Sequence, residues 1–142
     1  MTTETVAAEN VVVVDEFGSA DTNEMTMSGL ERKMQTVNFD FDKFNIRADM
    51  KPRVDANTEL ATGDAKDYMI KLEGNCDEWG SDEYNYALGL RRANAIKSEM
   101  TANGVAAERI TMVSYGESNP VCTEKTKECW ASNRRVDFKL LP

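Results

Sequence analysis

There is no histidine anywhere in the 142 residues. The chain therefore lacks the commonest general base near neutral pH and the commonest zinc ligand, which weakens most catalytic and metal-site readings together. Positive charge is also short: 17 Lys and Arg against 25 Asp and Glu leave a formal net charge of −8. That balance argues against unspecific binding to nucleic acid or to an anionic membrane surface, since either would repel the chain. Long apolar runs are missing as well. The run from Val11 to Val14 is far shorter than the roughly twenty residues a bilayer-crossing helix needs, and reads as a short strand or a sticky linker segment. Met1 to Asn10 is polar and acidic, without the basic start and apolar stretch of a secretion signal, so the chain reads as a mature fragment.

Cysteine is scarce and unevenly placed, with Cys76 in a polar turn and Cys122 and Cys129 close together near the end. The latter two can close a small disulfide, which points to a compartment outside the reducing cytosol and leaves Cys76 as a free thiol. A zinc site built from the three cysteines is the alternative, although no CxxC pair supports it.

A hydrophobic content of 41% over this length suits one domain with one core and a short tail. Between Asp15 and Lys33 no period is sustained, so residues 1–35 read as a flexible N-terminal linker and residues 36–142 as the folded domain. Val37, Phe39 and Phe41 alternate with polar residues, the period of a half-buried strand. Asp49 is placed to cap a helix that holds Pro52 in its tolerated first turn, turns Met50, Val54 and Leu60 inward and stops at Gly63. Tyr68, Ile70 and Leu72 mark a second strand with Glu73 on its solvated face. A long helix starts at Ser81 or Asp82 and ends at Asn103 and Gly104, with Gly89 inside it marking a kink or a close backbone approach. Two more alternating runs follow, Ile110 to Tyr115 and Val136 to Leu140. The pattern predicts an α/β fold, or α+β by convention, with helices packed on a four-stranded sheet in βαβαββ order.

One stretch, GNCDEWGSDEYNYALGLRRA from Gly74 to Ala93, concentrates the chemistry. On a helical wheel Leu88, Arg92, Ala93, Ile96 and Met100 share one side, so Arg92 interrupts the core-facing stripe while Arg91 points about 100° away into solvent. A guanidinium buried without a partner costs several kcal/mol, so about that much must be returned by a structural ion pair with Asp77 or Glu78, or by a ligand that Arg92 clamps. Both readings stand at this level. Asp77 and Glu78 are adjacent, whereas glycosidase carboxylates flank a bond about 5 to 9 Å apart. Cys76 has no histidine to activate it. A binding module therefore fits better than an enzyme, because an acid and an arginine can grip a ligand that carries both charges.

The run GNCDEWGSDEYNYALGLRRANAI, followed by VSYGESNP and NRRVDFKL, resembles the peptidoglycan-binding domain of the outer-membrane protein A family, and within it the lipoprotein branch. The likeness spans about Thr36 to Leu140, with Gly80, Asn85 and Leu88 at family positions between Asp77 and Arg92. It implies a mixed sheet, no enzymatic activity, no cofactor and no metal. The implied ligand is diaminopimelate in the peptide stem of peptidoglycan, whose ammonium and carboxylate would answer Asp77 and Arg92. Phe41, Asp42 and Leu88 would line the pocket, although by residue type alone Phe41 and Leu88 read as core. The likeness further implies the periplasmic face of a Gram-negative outer membrane and membrane contact only through an N-terminal lipid. It adds Tol-system periplasmic proteins as partners. A porin or flagellar-stator domain with the same site is the alternative, a cell-wall hydrolase a more distant one. Two positions depart from the family pattern: Cys76, commonly small or hydroxylic, and Trp79, commonly polar or aliphatic. Asn133 to Arg135 reads equally as structural charge or as part of the site.

Overall fold

The computed structural model describes residues 26–142, so Val11 to Val14 and most of the expected linker lie outside the described residues. Three segments that the sequence marks as alternating become full strands: β2 (Met69–Asn75), β3 (Ile110–Gly116) and β4 (Arg135–Leu141), joined by the two-residue β1 (Val37–Asn38). The sheet order is β1-β4-β2-β3. β2 and β3 are parallel, while β4 runs antiparallel to both β1 and β2, so the last strand inserts between the first two and makes the sheet mixed.

Register explains which face is buried. Ile70 lies beside Ile110 and Leu140, Leu72 beside Met112 and Phe138, and Val37 beside Val136, so the alternating apolar residues of four strands share one face. Against that face pack Val54 and Ala61 of α2 (Lys51–Thr62) and Ala93, Ile96 and Met100 of α3 (Asp82–Ala102) in a single core. The opposite face carries Lys71, Glu73, Tyr115 and Asp137. Glu73 is on that polar face as expected, yet it is buried, because Lys71 Nζ at 3.2 Å and the Tyr115 hydroxyl at 3.2 Å close over it. Among the described residues, no helix is long and apolar enough to cross a membrane.

Three local expectations need correction. First, the linker reading fails over Met27–Lys33, which forms helix α1. The Thr26 hydroxyl accepts from Gly29 N at 3.0 Å to cap it, Leu30 is fully buried in the core, and Glu31 Oε1 accepts from Leu140 N at 2.9 Å. A helix of seven residues that buries only Gly29 and Leu30 is too short to show a period, which is why composition read as linker. Deleting residues 1–33 is accordingly expected to cost about 3 kcal/mol through the lost leucine and the orphaned strand N–H. Urea unfolding of the shortened chain measures this, and an unchanged midpoint would restore the linker reading.

Second, β1 ends at Asn38 rather than running on to Phe41. Phe39 N still donates to Arg134 O at 2.9 Å, but Lys43 N then turns back to Asp40 O at 3.1 Å and Asp42 adopts a positive φ of 60°. Phe41 is thereby turned out of the sheet, 59% exposed. Third, Asp49 does not cap α2. Its carboxylate takes both Arg47 Nε at 2.9 Å and Nη2 at 2.7 Å, and the helix is entered through a 3-10 turn, Ala48–Met50, with no side-chain cap. Leu60 is only half-buried, and Ala61 takes the core position beside it.

A further helix, α4 (Lys127–Asn133), stands between β3 and β4 where the sequence offers only a loop. Thr126 caps it by accepting from Cys129 N at 3.1 Å.

Candidate functional site

The site forms where β2 ends and α3 begins. Cys76 N donates to Gly116 O at 2.8 Å and the Cys76 thiol donates to Asn85 O at 3.2 Å, so the turn is tied to both β3 and the first turn of the helix. Gly80 takes a φ of 101°, and the Ser81 hydroxyl then accepts from Tyr84 N at 3.1 Å to start α3. The helix approaches the strand closely enough that Gly74 and Gly89 face each other without side chains, which brings Leu88 and Arg92 to the lip of the turn.

All five residues named for the site, Phe41, Asp42, Asp77, Leu88 and Arg92, line one pocket of about 430 Å³. Trp79, Tyr84 and Asn85 complete its walls. Leu88 is buried, but Phe41 is not the core residue that its type suggests, because the turn after Phe39 delivers it to the rim. The Tyr84 hydroxyl donates to the Asp42 carboxylate, bridging the helix to the loop 40–44.

Arg92 pairs with neither Asp77 nor Glu78. Its guanidinium is fully buried, donating from Nε to Lys43 O at 2.8 Å, from Nη1 to Asn75 O at 2.9 Å and from Nη2 to Asp40 O at 3.1 Å, and it lies 5.4 Å from the Phe39 ring centre. Those bonds engage three of five N–H donors and leave one on each terminal nitrogen. Burial pulls its pKa below the ordinary arginine value, opposed by the neighbouring Cys76 and Asp77. Asp77, 4% exposed, instead accepts from Arg134 Nη1 at 3.1 Å and from Trp79 N at 3.1 Å. The site thus holds a buried cation and a buried carboxylate whose partners are separate. Glu78 turns away to Lys125 Nζ at 2.6 Å and Trp130 Nε1 at 2.7 Å, and these bonds hold its carboxyl below the usual range.

Arg134 is the residue that sequence reasoning left undecided. It sits in the singled-out NRR segment, donates from Nε to Phe39 O at 3.0 Å as well as to Asp77, and so belongs to the site, whereas Arg135 is bound up with Asp137, Asn133 and Asn119 away from it. Tyr84 was missed, since an exposed helical tyrosine carries no signal of its own.

Cys122 and Cys129 are joined by a disulfide with Cα atoms 5.2 Å apart, and Cys76 is a buried free thiol. The three-cysteine zinc alternative is therefore not assembled, and among the described residues no group of metal-ligating side chains comes together. Burial pushes the Cys76 thiol up from 9.0 to about 11, so it is neutral and a poor nucleophile at neutral pH. Because the folded value is the raised one, the stability linked to this thiol is full below pH 9 and is lost between pH 9 and about 11. That loss amounts to about 3 kcal/mol. Removing the thiol in Cys76→Ala should flatten this part of the alkaline unfolding profile relative to wild type. Parallel profiles would mean that the thiol titrates normally.

The description "OmpA family" is carried by the family model that matches residues 38–134. The chain is 34% identical over 139 residues to the peptidoglycan-associated lipoprotein of Pasteurella multocida, covering 92% of each. It is 38% identical over 108 residues to that of Pseudomonas putida, covering 76% of this chain and 64% of the relative, so it spans less than two thirds of the latter. The crystal structure of the peptidoglycan-associated lipoprotein from Burkholderia pseudomallei superposes with a TM-score of 0.70 at 31% identity, over 75% of this chain and 89% of the other. With the family model spanning most of the chain, and a solved relative superposing with a TM-score of 0.70, the chain belongs to the OmpA family.

Proposed function

We propose that this domain binds peptidoglycan without covalent chemistry, through the diaminopimelate of the peptide stem, and tethers an outer membrane to the cell wall. The observation that carries this reading is the pocket itself. A buried guanidinium with one donor left on each terminal nitrogen and a buried carboxylate line the same cavity. A ligand end that bears a carboxylate and an ammonium matches that pair: the carboxylate takes the fork of Arg92, and the ammonium faces Asp77. Phe41, Asp42 and Leu88 supply the walls around its aliphatic stem. The names of the relatives, peptidoglycan-associated lipoproteins, support the same ligand class.

The reading is of a binding module rather than an enzyme. The one free thiol is buried and held neutral, and the chain has no histidine to activate it. The reading places the protein at the periplasmic face of the outer membrane, with a lipid on a native N-terminus as its only membrane contact and Tol-system periplasmic proteins as partners.

Calorimetric titration with two stem peptides tests the ligand. One contains diaminopimelate and the other lysine, which keeps the ammonium but lacks the second carboxylate. The diaminopimelate peptide should bind at least tenfold more tightly. Equal affinity for the two would remove Arg92 from the recognition and overturn the diaminopimelate reading.

A further inference from the structure

At the edge of the clamp pocket stands a pair of tryptophans in contact with each other. Trp79 lines the pocket with half its surface exposed, and its ring centre is 5.4 Å from that of Trp130, the planes 72° apart. The two indoles form a corner with one wall on the turn after β2 and the other on α4.

This corner is built rather than incidental. Trp130 Nε1 is fixed by Glu78 Oε2 at 2.7 Å, and the other oxygen of Glu78 is held by Lys125 Nζ at 2.6 Å. The disulfide from Cys129, the residue before Trp130, to Cys122 pins the loop to the helix, and Asn133 clasps the same loop through Val121 N, Cys122 N and Cys122 O. A second hollow of about 140 Å³ runs from Cys76 and Asp77 past Glu78 to Thr123, Glu124 and Trp130. Cys76 and Asp77 border both hollows, so the clamp and the aromatic corner are neighbours that share a wall.

We infer that this corner is a subsite for an amino-sugar ring of the glycan strand. The inference rests on the peptidoglycan reading above and extends it from the peptide to the sugar. A pyranose ring presents a face of C–H bonds, weakly positive, which lies well on the electron-rich face of an indole, while its hydroxyls and acetamide point sideways. The hollow offers partners for those groups: the Glu124 carboxylate and Thr123 hydroxyl beside it. An apolar platform edged by acceptors suits a neutral sugar better than an anionic ligand, which the surrounding carboxylates of Glu78, Glu117 and Glu124 would repel. Adjacency to the clamp matches the chemistry of the ligand, in which peptide and sugar are covalently joined.

Three probes with the intact chain decide the matter: a sugar-free stem peptide containing diaminopimelate, the same peptide carrying its disaccharide, and an N-acetylglucosamine tetramer with no peptide. Wild type should bind the disaccharide-peptide about tenfold more tightly than the sugar-free peptide, and should bind the tetramer weakly. Trp79→Ala should lose that tenfold gain, so that its affinities for the two peptides converge, and should lose the tetramer. Trp79→Tyr should recover most of the gain, whereas Trp79→Leu, apolar without a π face, should not. Wild type that gains nothing from the disaccharide overturns the subsite and leaves the clamp standing. Equal loss of both peptides in Trp79→Ala also overturns it, by assigning Trp79 to the peptide. Conversely, wild type that ignores the sugar-free peptide yet binds the tetramer through Trp79 keeps the subsite and overturns the diaminopimelate reading.

Discussion

Arg92→Lys should weaken binding to purified sacculi by at least thirtyfold, the lower end of the about 2 to 5 kcal/mol that follows from disabling one side of a buried charge contact. Counting donors gives the reason. The guanidinium serves three carbonyls, of Lys43, Asn75 and Asp40, at 2.8, 2.9 and 3.1 Å, and keeps two donors in hand for the two oxygens of a ligand carboxylate. An ammonium has three donors in all and no planar fork. If lysine meets the carbonyls, nothing is left for the ligand; if it meets the ligand, the loop 40–44 comes loose from the end of β2.

A purely structural role for Arg92 makes a different prediction. If it only pins that loop, the variant should lose stability, and binding should fall no further than the unfolded fraction explains. Asp77→Asn separates the two cases because it touches none of the carbonyls that Arg92 holds. An asparagine oxygen can still accept from Trp79 N, now at 3.1 Å from the aspartate, which keeps the turn, while the charge facing a ligand ammonium and the 3.1 Å ion pair to Arg134 are both lost, so some stability goes with them. Its affinity for the diaminopimelate peptide should drop more than tenfold with the fold intact, since a charged contact becomes a neutral one. Wild-type affinity in either variant, measured on folded protein, would sink the clamp.

Much of this candidate site is legible in the sequence, and the parts that are not share a cause. Arg92 stood out because a charge on a core-facing stripe violates the helical period, and the violation marks function or a forced pairing regardless of fold. Its partners could not be read: they are backbone carbonyls of the loop 40–44 and of Asn75, and a carbonyl has no sequence signature. The ion pair with Asp77 or Glu78, one of the two readings that the sequence left open, is not formed, and Arg134, 57 residues away, takes the place beside Asp77. The four strands followed from alternation, yet Phe41 continued the alternation of Val37 and Phe39 while the chain had already left the sheet. What ended β1 was a turn held by Lys43 N and Asp40 O, with Asp42 at positive φ, and aspartate is among the few residues that take such a conformation at low cost. Helices α1 and α4, seven residues each, fall below the length at which a period of 3.6 can be told from chance.

Gly74→Ala should be the most destabilising single-methyl change in the domain, at about 3 kcal/mol or more, and it should disarm the site with the fold. A Cβ on Gly74 would sit 1.9 Å from Gly89 O, 2.5 Å from Gly89 C and 3.0 Å from its Cα, all backbone atoms of α3 that no rotamer change can move. The helix must slide away from β2, and α3 is the element that carries Leu88 and Arg92. The carbonyls that anchor Arg92 stay behind on β2 and the loop, so its hydrogen bonds stretch as the helix retreats. Gly89→Ala should cost less. Its Cβ meets Ser114 Oγ at 2.2 Å, a side-chain atom that can rotate, although the serine then gives up its 3.2 Å bond from Gly116 N. Gly104 offers the control, with a φ of +107° and nothing within 4 Å of an added Cβ, so Gly104→Ala should show only the backbone penalty of about 1 kcal/mol. Urea unfolding of the three variants should rank them Gly74, Gly89, Gly104 in order of loss. If Gly74→Ala unfolds within 1 kcal/mol of wild type, by the roughly 1.4 kcal/mol per decade scale a change of less than tenfold in the folding equilibrium, then the approach of α3 to β2 is not what holds Arg92 over its carbonyls.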